Sequence, residues 1–210
     1  MPYTAIIILL LEETFNALIN QYIDEKVGIA EQFLSLSLLE NLRTNLTKLY
    51  SGKQLHAAKI GSNQTAVLST AIRSDIIYWL DRSHNDPFEN AFFDVMDAFV
   101  LHLNTTCYAG ISGYEFHYTM YVPNTFYKKH IDQFQRNNSR QFSIIIYLNE
   151  NWEDGDGGEL CIYHANDIID TIAPLNGKMV FFKSSELPHE VLLNNRARMS
   201  ITGWLKSDAI

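Results

Sequence analysis

Tyr127-Lys128-Lys129-His130-Ile131-Asp132 is the stretch on which the reading of this chain turns. On an extended strand, residues two apart point to the same side. His130 and Asp132 would then present an imidazole and a carboxylate together, with Ile131 turned the other way into a core. That is two-thirds of a metal site. Taken alone the pair is a weak signal, because short motifs match by chance and an exposed strand end explains it equally well.

The chain supplies its own decoy. His84-Asn85-Asp86 repeats the spacing, but Asp86 is followed by Pro87-Phe88-Glu89. A capping aspartate, a proline at the first helical position and a glutamate at the third account for Asp86 as the start of a helix. His84 then falls in a polar turn. Asp154-Gly155-Asp156-Gly157-Gly158 is a second decoy, for calcium. Its sixth and twelfth positions are Glu159 and Ala165 instead of glycine and glutamate. It reads as a glycine turn.

Two distant segments favour His130 and Asp132. Met179-Val180-Phe181-Phe182 reads as a buried strand, and Pro188-His189-Glu190-Val191 opens the next. His189 also suits a satisfied polar residue at a strand end. Two histidines and one carboxylate, however, form the facial triad of non-haem Fe(II) oxygenases, which leaves metal positions open. In the strand Arg198–Leu205, alternation puts Arg198, Ser200, Thr202 and Trp204 on one face, with Met199, Ile201 and Leu205 on the other. Arginine with two hydroxyls makes poor core but a good carboxylate site, since a guanidinium grips a carboxylate bidentately. Tyr147 ends the buried strand Ser143–Tyr147. Its hydroxyl would serve as a second donor there, or as the satisfied polar end of a core tyrosine.

The rest of the chain sets the frame. It has 210 residues, ordinary composition and a net charge of −8. The length suits one domain with a full core. The acidity, with only short basic patches, argues against nucleic acid. Two cysteines, Cys107 and Cys161, form no CxxC pair, which points to a reducing compartment. The apolar run Ala5–Leu11 is too short to cross a bilayer and lacks the flanks of a signal peptide. It is expected as buried structure in a soluble, cytoplasmic protein, with no membrane partner.

Helical spacing predicts helices over about 14–26, from a capping box at Ser37-Leu38-Leu39-Glu40 to Gly52, and from Pro87 to about 104. Short strands are expected at Val27–Leu34 and, fully buried, at Asp75–Leu80. Residues 52–71 are polar and glycine-bearing, and a loop this long is usually functional. It is expected to close over a bound substrate. From Tyr114 onward, aromatic and β-branched runs alternate with turn residues: Tyr114–Val122, Phe126–Phe134, Gln141–Leu148, Glu159–Tyr163, Met179–Phe182, Glu190–Leu193 and Met199–Leu205. Such spacing implies a sandwich or barrel. The fold class is therefore α+β, mainly β, with N-terminal helices on one face of the sheets. Residues 1–111 would be a support region of the same domain as a chemical core at 112–206.

At this point the residues carry a family resemblance. The chain resembles the Fe(II)/2-oxoglutarate-dependent dioxygenases, and within them the prolyl 4-hydroxylase family of oxygen-sensing (hypoxia-inducible-factor) type and its bacterial relatives. The stretches that carry it are Tyr121 through Tyr127 to His130 and Asp132, Ile146-Tyr147-Leu148-Asn149, Gly157-Gly158-Glu159-Leu160, Phe181-Phe182 leading to Pro188-His189-Glu190-Val191, and Arg198 through Ile201-Thr202 to Trp204. Arg73-Ser74-Asp75 and Trp79 resemble an element that precedes the core in the oxygen-sensing subgroup.

The resemblance implies a double-stranded β-helix, or jelly roll. It implies Fe(II) on His130, Asp132 and His189, and 2-oxoglutarate paired with Arg198 and assisted by Tyr147. Thr202 and Leu160 would line the pocket, with Tyr121 and Tyr127 near cosubstrate or substrate. Strict alternation turns Tyr127 away from His130 unless the strand bulges. O2 is the further cosubstrate, ascorbate a reductant of such enzymes, and a proline-containing protein or peptide the implied substrate. Val122-Pro123-Asn124 departs from the glycine many members carry there, on the substrate side. Competing readings are hydroxylation of another residue or a small molecule, a silent binding module of the fold, and a cupin-like metal enzyme, which leaves Arg198 unexplained.

Overall fold

The protein's structure is a computed structural model that describes residues 2–58, 71–133, 138–165 and 169–207. The substrate-closing role expected of 52–71 falls mostly on residues 59–70, outside the described ones.

Three helices precede most of the β structure. Helix α1 (Pro2–Glu25) runs back through the apolar stretch at 5–11 and is longer than its stripe of Phe15, Leu18 and Ile19 predicts. Helix α2 (Leu36–Ser51) buries Leu39, Leu42 and Leu46. Its cap is Ser35, not Ser37: the Ser35 backbone is extended and its hydroxyl accepts from Leu38 N. The Ser-x-x-Glu pattern at 37–40 therefore lies inside the helix, one of several registers in which a short capping pattern can match. Helix α3 (Pro87–Thr106) starts as expected, with Asp86 Oδ1 accepting from Phe88 N and Glu89 N at 2.9 Å each.

The strands are β1 (Val27–Ala30), β2 (His56–Ala57), β3 (Ile76–Trp79), β4 (Gly113–Tyr121), β5 (Tyr127–His130), β6 (Arg140–Tyr147), β7 (Leu160–Tyr163), β8 (Ile169–Ile172), β9 (Met179–Lys183), β10 (His189–Val191) and β11 (Arg198–Lys206). They form a seven-stranded sheet in the order β1-β9-β6-β11-β4-β3-β2 and a four-stranded sheet in the order β5-β10-β7-β8, with every pairing antiparallel. The fold is a jelly roll with helices on one face of the larger sheet. Strands β1, β2 and β3, from the N-terminal part, complete that sheet.

Two cores follow from strand alternation. One face of the larger sheet offers Phe116, Tyr118, Ile144, Phe181 and Ile201 to the helices, where they meet Phe15, Leu42 and Phe99. The opposite face, between the sheets, gathers Tyr121, Ile145, Tyr147, Leu160, Phe182 and Val191. Arg198, Ser200 and Trp204 share that inner face with His117, Thr119 and Tyr121, across the β11–β4 pairing. The chemistry thus lies inside the roll, and the helices support it from behind.

Three strands differ from expectation. The segment at 75–80 is buried at its ends, Asp75 and Leu80, but Ile76, Ile77 and Tyr78 are half-buried and Trp79 is exposed. The strand predicted over 126–134 ends at His130, so Asp132 sits in the bend that follows. Strand β8 carries no sequence signal, because it is an edge strand with Asp170 and Thr171 at its centre and an exposed Ile169.

Replacing Asp86 by alanine removes two cap hydrogen bonds and should lower stability by about 1 kcal/mol in urea denaturation. Metal affinity should stay unchanged, because His84 Nδ1 pairs with Glu89 Oε2 at 3.0 Å and takes no part in a metal cluster.

Candidate metal centre

Antiparallel pairing of β10 with β5 sets His189 opposite His130. Asp132, in the bend after β5, turns its carboxylate between them: Oδ1 lies 3.4 Å from His130 Nε2 and Oδ2 3.6 Å from His189 Nε2. The three ligand atoms lie within 4.8 Å of one another, and theirs is the one such metal-capable group among the described residues.

The remaining atoms of each side chain are tied back. His130 Nδ1 lies 2.8 Å from the Lys128 carbonyl, and His189 Nδ1 lies 3.0 Å from the Leu187 carbonyl. A carbonyl only accepts, so each Nδ1 carries the proton and each Nε2 keeps its lone pair for a metal. Ser143 Oγ donates to Asp132 Oδ2 at 2.7 Å and meets Ser184 Oγ at 2.9 Å. Burial raises the Asp132 carboxyl, but His189, His130 and Ser143 outweigh it and hold the group well below the usual carboxylate range. Burial lowers His189, against the pull of Asp132, and favours its neutral form. Two neutral imidazoles and a carboxylate with open positions are a donor set that fits Fe(II).

Tyr127 joins this group through an irregularity. Pairing of β10 with β5 matches Val191 to Tyr127 and His189 to His130, so an extra residue bulges on β5. The bulge defeats strict alternation and stacks the Tyr127 ring on His130, centroids 3.5 Å apart. Arg73, ion-paired with Asp75, covers the other ring of that pair: its guanidinium carbon lies 4.4 Å from the Tyr127 centroid. Burial pushes the Tyr127 hydroxyl up to about 12, with Arg73 opposing.

A second constellation lies on the same inner surface. Arg198 is 1% exposed, and its Nε donates to the Gly158 carbonyl at 2.8 Å. Gly158 has φ +73, and a Cβ there would lie 3.1 Å from Arg198 Cδ. Only glycine takes that conformation and that approach together without strain. Arg198 Nη2 and the Tyr147 hydroxyl are both buried, and neither has a hydrogen-bond partner. The guanidinium carbon lies 4.9 Å from the Tyr147 ring and 5.0 Å from the Tyr121 ring. Burial raises the Tyr147 hydroxyl, with Arg198 opposing, so it stays a donor.

A buried donor without a partner costs about 1–3 kcal/mol, and more when charged. Two such donors side by side, with no carboxylate within ion-pair distance among the described residues, make a socket for an anionic acceptor. A carboxylate group fits it. Leu160 is fully buried beside Tyr121 and Tyr147. Thr202 shares the wall, its Oγ1 3.2 Å from Ser200 Oγ.

All nine residues singled out in the sequence therefore lie on the inner surface of the roll or at its rim. Ser143 was read only as the start of the strand that Tyr147 ends, and nothing local marks it as the carboxylate's donor. His117 carries no motif at all. It is buried between the Trp79 and Trp204 rings, and Thr119 Oγ1 lies 2.9 Å from its Nδ1.

Ser143→Ala should weaken divalent-metal binding by roughly 10–100-fold in a calorimetric titration, the usual effect of losing a group that orients a ligand. Burial lowers His117 to about 4. A folded-state value below the unfolded one contributes stability above about pH 6.5 that is lost as pH falls toward 4. His117→Phe should flatten that part of the stability–pH curve measured by denaturant unfolding.

Residues 116–206 match the family model of the 2OG-Fe(II) oxygenase superfamily. The fold is similar over its length to a prolyl-4-hydroxylase of Pseudomonas putida, at 29% identity and a TM-score of 0.84, covering 93% of this chain and 100% of that one. It is also similar to a prolyl hydroxylase of Trichoplax adhaerens solved with a hypoxia-inducible-factor oxygen-degradation-domain peptide. There the identity is 24% and the TM-score 0.85, over 95% and 92% of the two chains. A prolyl 3-hydroxylase of Xenopus laevis is 33% identical over 75 residues, 31% of this chain but only 15% of its own length. Residues 116–206 of this chain thus match the 2OG-Fe(II) oxygenase model, on a fold similar to that of the two prolyl hydroxylases.

Proposed function

We propose that this protein is an Fe(II)- and 2-oxoglutarate-dependent hydroxylase of a prolyl residue in a protein substrate. The observation that carries the cosubstrate is the pair of buried, unpartnered donors, Arg198 Nη2 and Tyr147 OH. A cupin-like metal enzyme has no use for them. A silent module would be free to lose either the donors or the triad, and the chain keeps both.

In this reading, His130, Asp132 and His189 hold Fe(II) through Nε2, one carboxylate oxygen and Nε2. Fe(II), 2-oxoglutarate and O2 together supply hydroxylation of an unactivated C–H bond, with succinate and CO2 released and ascorbate as a reductant. The protein's own work is positioning. Lys128 and Leu187 carbonyls fix the two imidazole tautomers. Ser143 holds the carboxylate in place. Arg198 and Tyr147 grip the distal carboxylate, while Leu160 and Tyr121 exclude water around the chain between its ends. Tyr127 and Trp79 stand at the rim, where a substrate would enter.

The prolyl assignment is supported by the names of the similar structures and by the Arg73–Asp75 pair beneath Tyr127. Residues 1–111 act as the support for the core at 112–206 within one domain. No helix among the described residues is long and apolar enough to cross a membrane, and both cysteines are free. The free cysteines suit a reducing compartment, and we take the site of action as the cytoplasm and the partner as a protein, not nucleic acid.

Succinate formation from 2-oxoglutarate with Fe(II) tests this. Wild type should turn over; His189→Ala should fall to background. Arg198→Ala loses a charged hydrogen bond and should raise the KM for 2-oxoglutarate by about 10–100-fold. A wild type without turnover, coupled or uncoupled, sinks the oxygenase reading. Mass spectrometry of cellular proteins should show hydroxyproline that depends on the active enzyme, and modification confined to other residues would sink the prolyl assignment.

A further inference from the structure

Between the ligand His189 and Arg198 lies Asn194, fully buried, which neither the metal nor the carboxylate socket accounts for. Its side-chain oxygen accepts from Thr125 N at 3.0 Å, and the Thr125 hydroxyl, which donates to the Val122 carbonyl at 2.6 Å, lies 3.2 Å from the same oxygen. Its side-chain nitrogen turns two hydrogens toward three carbonyls, those of Tyr121 and Val122, each at 3.1 Å, and of Arg196, so that one hydrogen is shared. The backbone adds two more links: Asn124 N donates to Asn194 O at 2.7 Å, and Asn194 N donates to Thr125 O at 3.2 Å. Asn194 also forms an isolated β-bridge with Gly157. The side-chain amide thus joins the end of β4, the turn at 122–125 and the approach to β11, while the backbone of the same residue pairs with the glycine turn.

Those are the segments that place the socket. Tyr121, whose carbonyl Asn194 holds, puts its ring beside the Arg198 guanidinium. Arg196, whose carbonyl it also holds, lies two residues before Arg198. Gly158, next to the bridged Gly157, supplies the carbonyl that fixes Arg198 Nε. A Cβ on Gly158 would lie 3.0 Å from the Asn194 Cβ, so Asn194 packs against the loop that orients the arginine.

We propose that Asn194 is a positioning residue for the 2-oxoglutarate socket. It holds Arg198 and Tyr121 in register so that Arg198 Nη2 and the Tyr147 hydroxyl face one carboxylate. It acts on cosubstrate binding and not on the metal, because its hydrogen bonds run to β4, the 122–125 turn and the β11 approach and reach none of the three ligands. No other single residue type serves all of these partners: aspartate accepts but cannot donate, and serine or alanine is too short. The inference rests on the proposed function, in that it takes Arg198 as the carboxylate partner.

The test is calorimetric binding without turnover. Mn(II), a divalent ion suited to nitrogen and oxygen ligands, is titrated into the protein, and 2-oxoglutarate into the Mn(II)-loaded protein. Asn194→Ala should weaken 2-oxoglutarate binding roughly tenfold or more, on the scale of other losses of orienting groups, while Mn(II) affinity stays within about twofold. Thr125→Val spares the donors to Tyr121, Val122 and Arg196 and should leave 2-oxoglutarate affinity near wild type. If Asn194→Ala fails to fold, Asn194→Asp, which keeps the acceptor for Thr125 N but donates to none of the three carbonyls, carries the same expectation. A folded Asn194 variant that binds 2-oxoglutarate as tightly as wild type overturns the inference. So does equal loss of Mn(II) and 2-oxoglutarate, which would mark general damage. In both of those cases wild type binds 2-oxoglutarate and the proposed function stands. Wild type that binds Mn(II) but no 2-oxoglutarate overturns the proposed function, and this inference falls with it.

Discussion

The whole site depends on one antiparallel pairing, β10 against β5, which sets His189 opposite His130. The two strands are short and come from distant parts of the chain, so their pairing carries a large loop-closure cost. The larger sheet and the helix layer behind it meet that cost by burying apolar surface on both faces. Asp132 needs no strand of its own. It follows β5 by two residues and falls between the imidazoles once they are paired. The bulge in the same pairing brings Tyr127 onto His130, so a single irregularity both seats a ligand and covers it.

Two polar constellations share one inner surface and are balanced in opposite ways. Around the triad every atom not needed by a metal is satisfied: both Nδ1 atoms and the Asp132 Oδ2 have partners. Around Arg198 the reverse holds, and two buried donors are left open. A fold tolerates such open donors where a ligand completes them, because their desolvation is otherwise uncompensated. The difference separates a set of acceptors suited to a cation from a pair of donors suited to an anion.

Much of this was legible in the residues. The metal set, Arg198 and the decoy at His84 all follow from chemistry that is local or repeats at period two. The Asp86 cap was readable because capping is decided within four residues. The Ser35 cap was missed because two serines compete there, and only the backbone conformation chooses between them. Strand β8 was missed because an edge strand need not be apolar. Tyr127 was undecidable in sequence, since alternation and a bulge give opposite faces and no residue there signals which prevails.

What the amino-acid sequence determined by itself is the inventory: which side chains could bind a metal or a carboxylate, and which faces of their strands they share. Periodicity and residue chemistry suffice for that. The tertiary structure alone decided which of them meet. It placed Asp132 between two histidines, gave Ser143 its acceptor, left Nη2 of Arg198 and the hydroxyl of Tyr147 open, and gathered several carbonyls and amides around Asn194. Those outcomes depend on strand register and on backbone carbonyls brought from elsewhere in the chain, and a backbone carbonyl has no identity in the sequence.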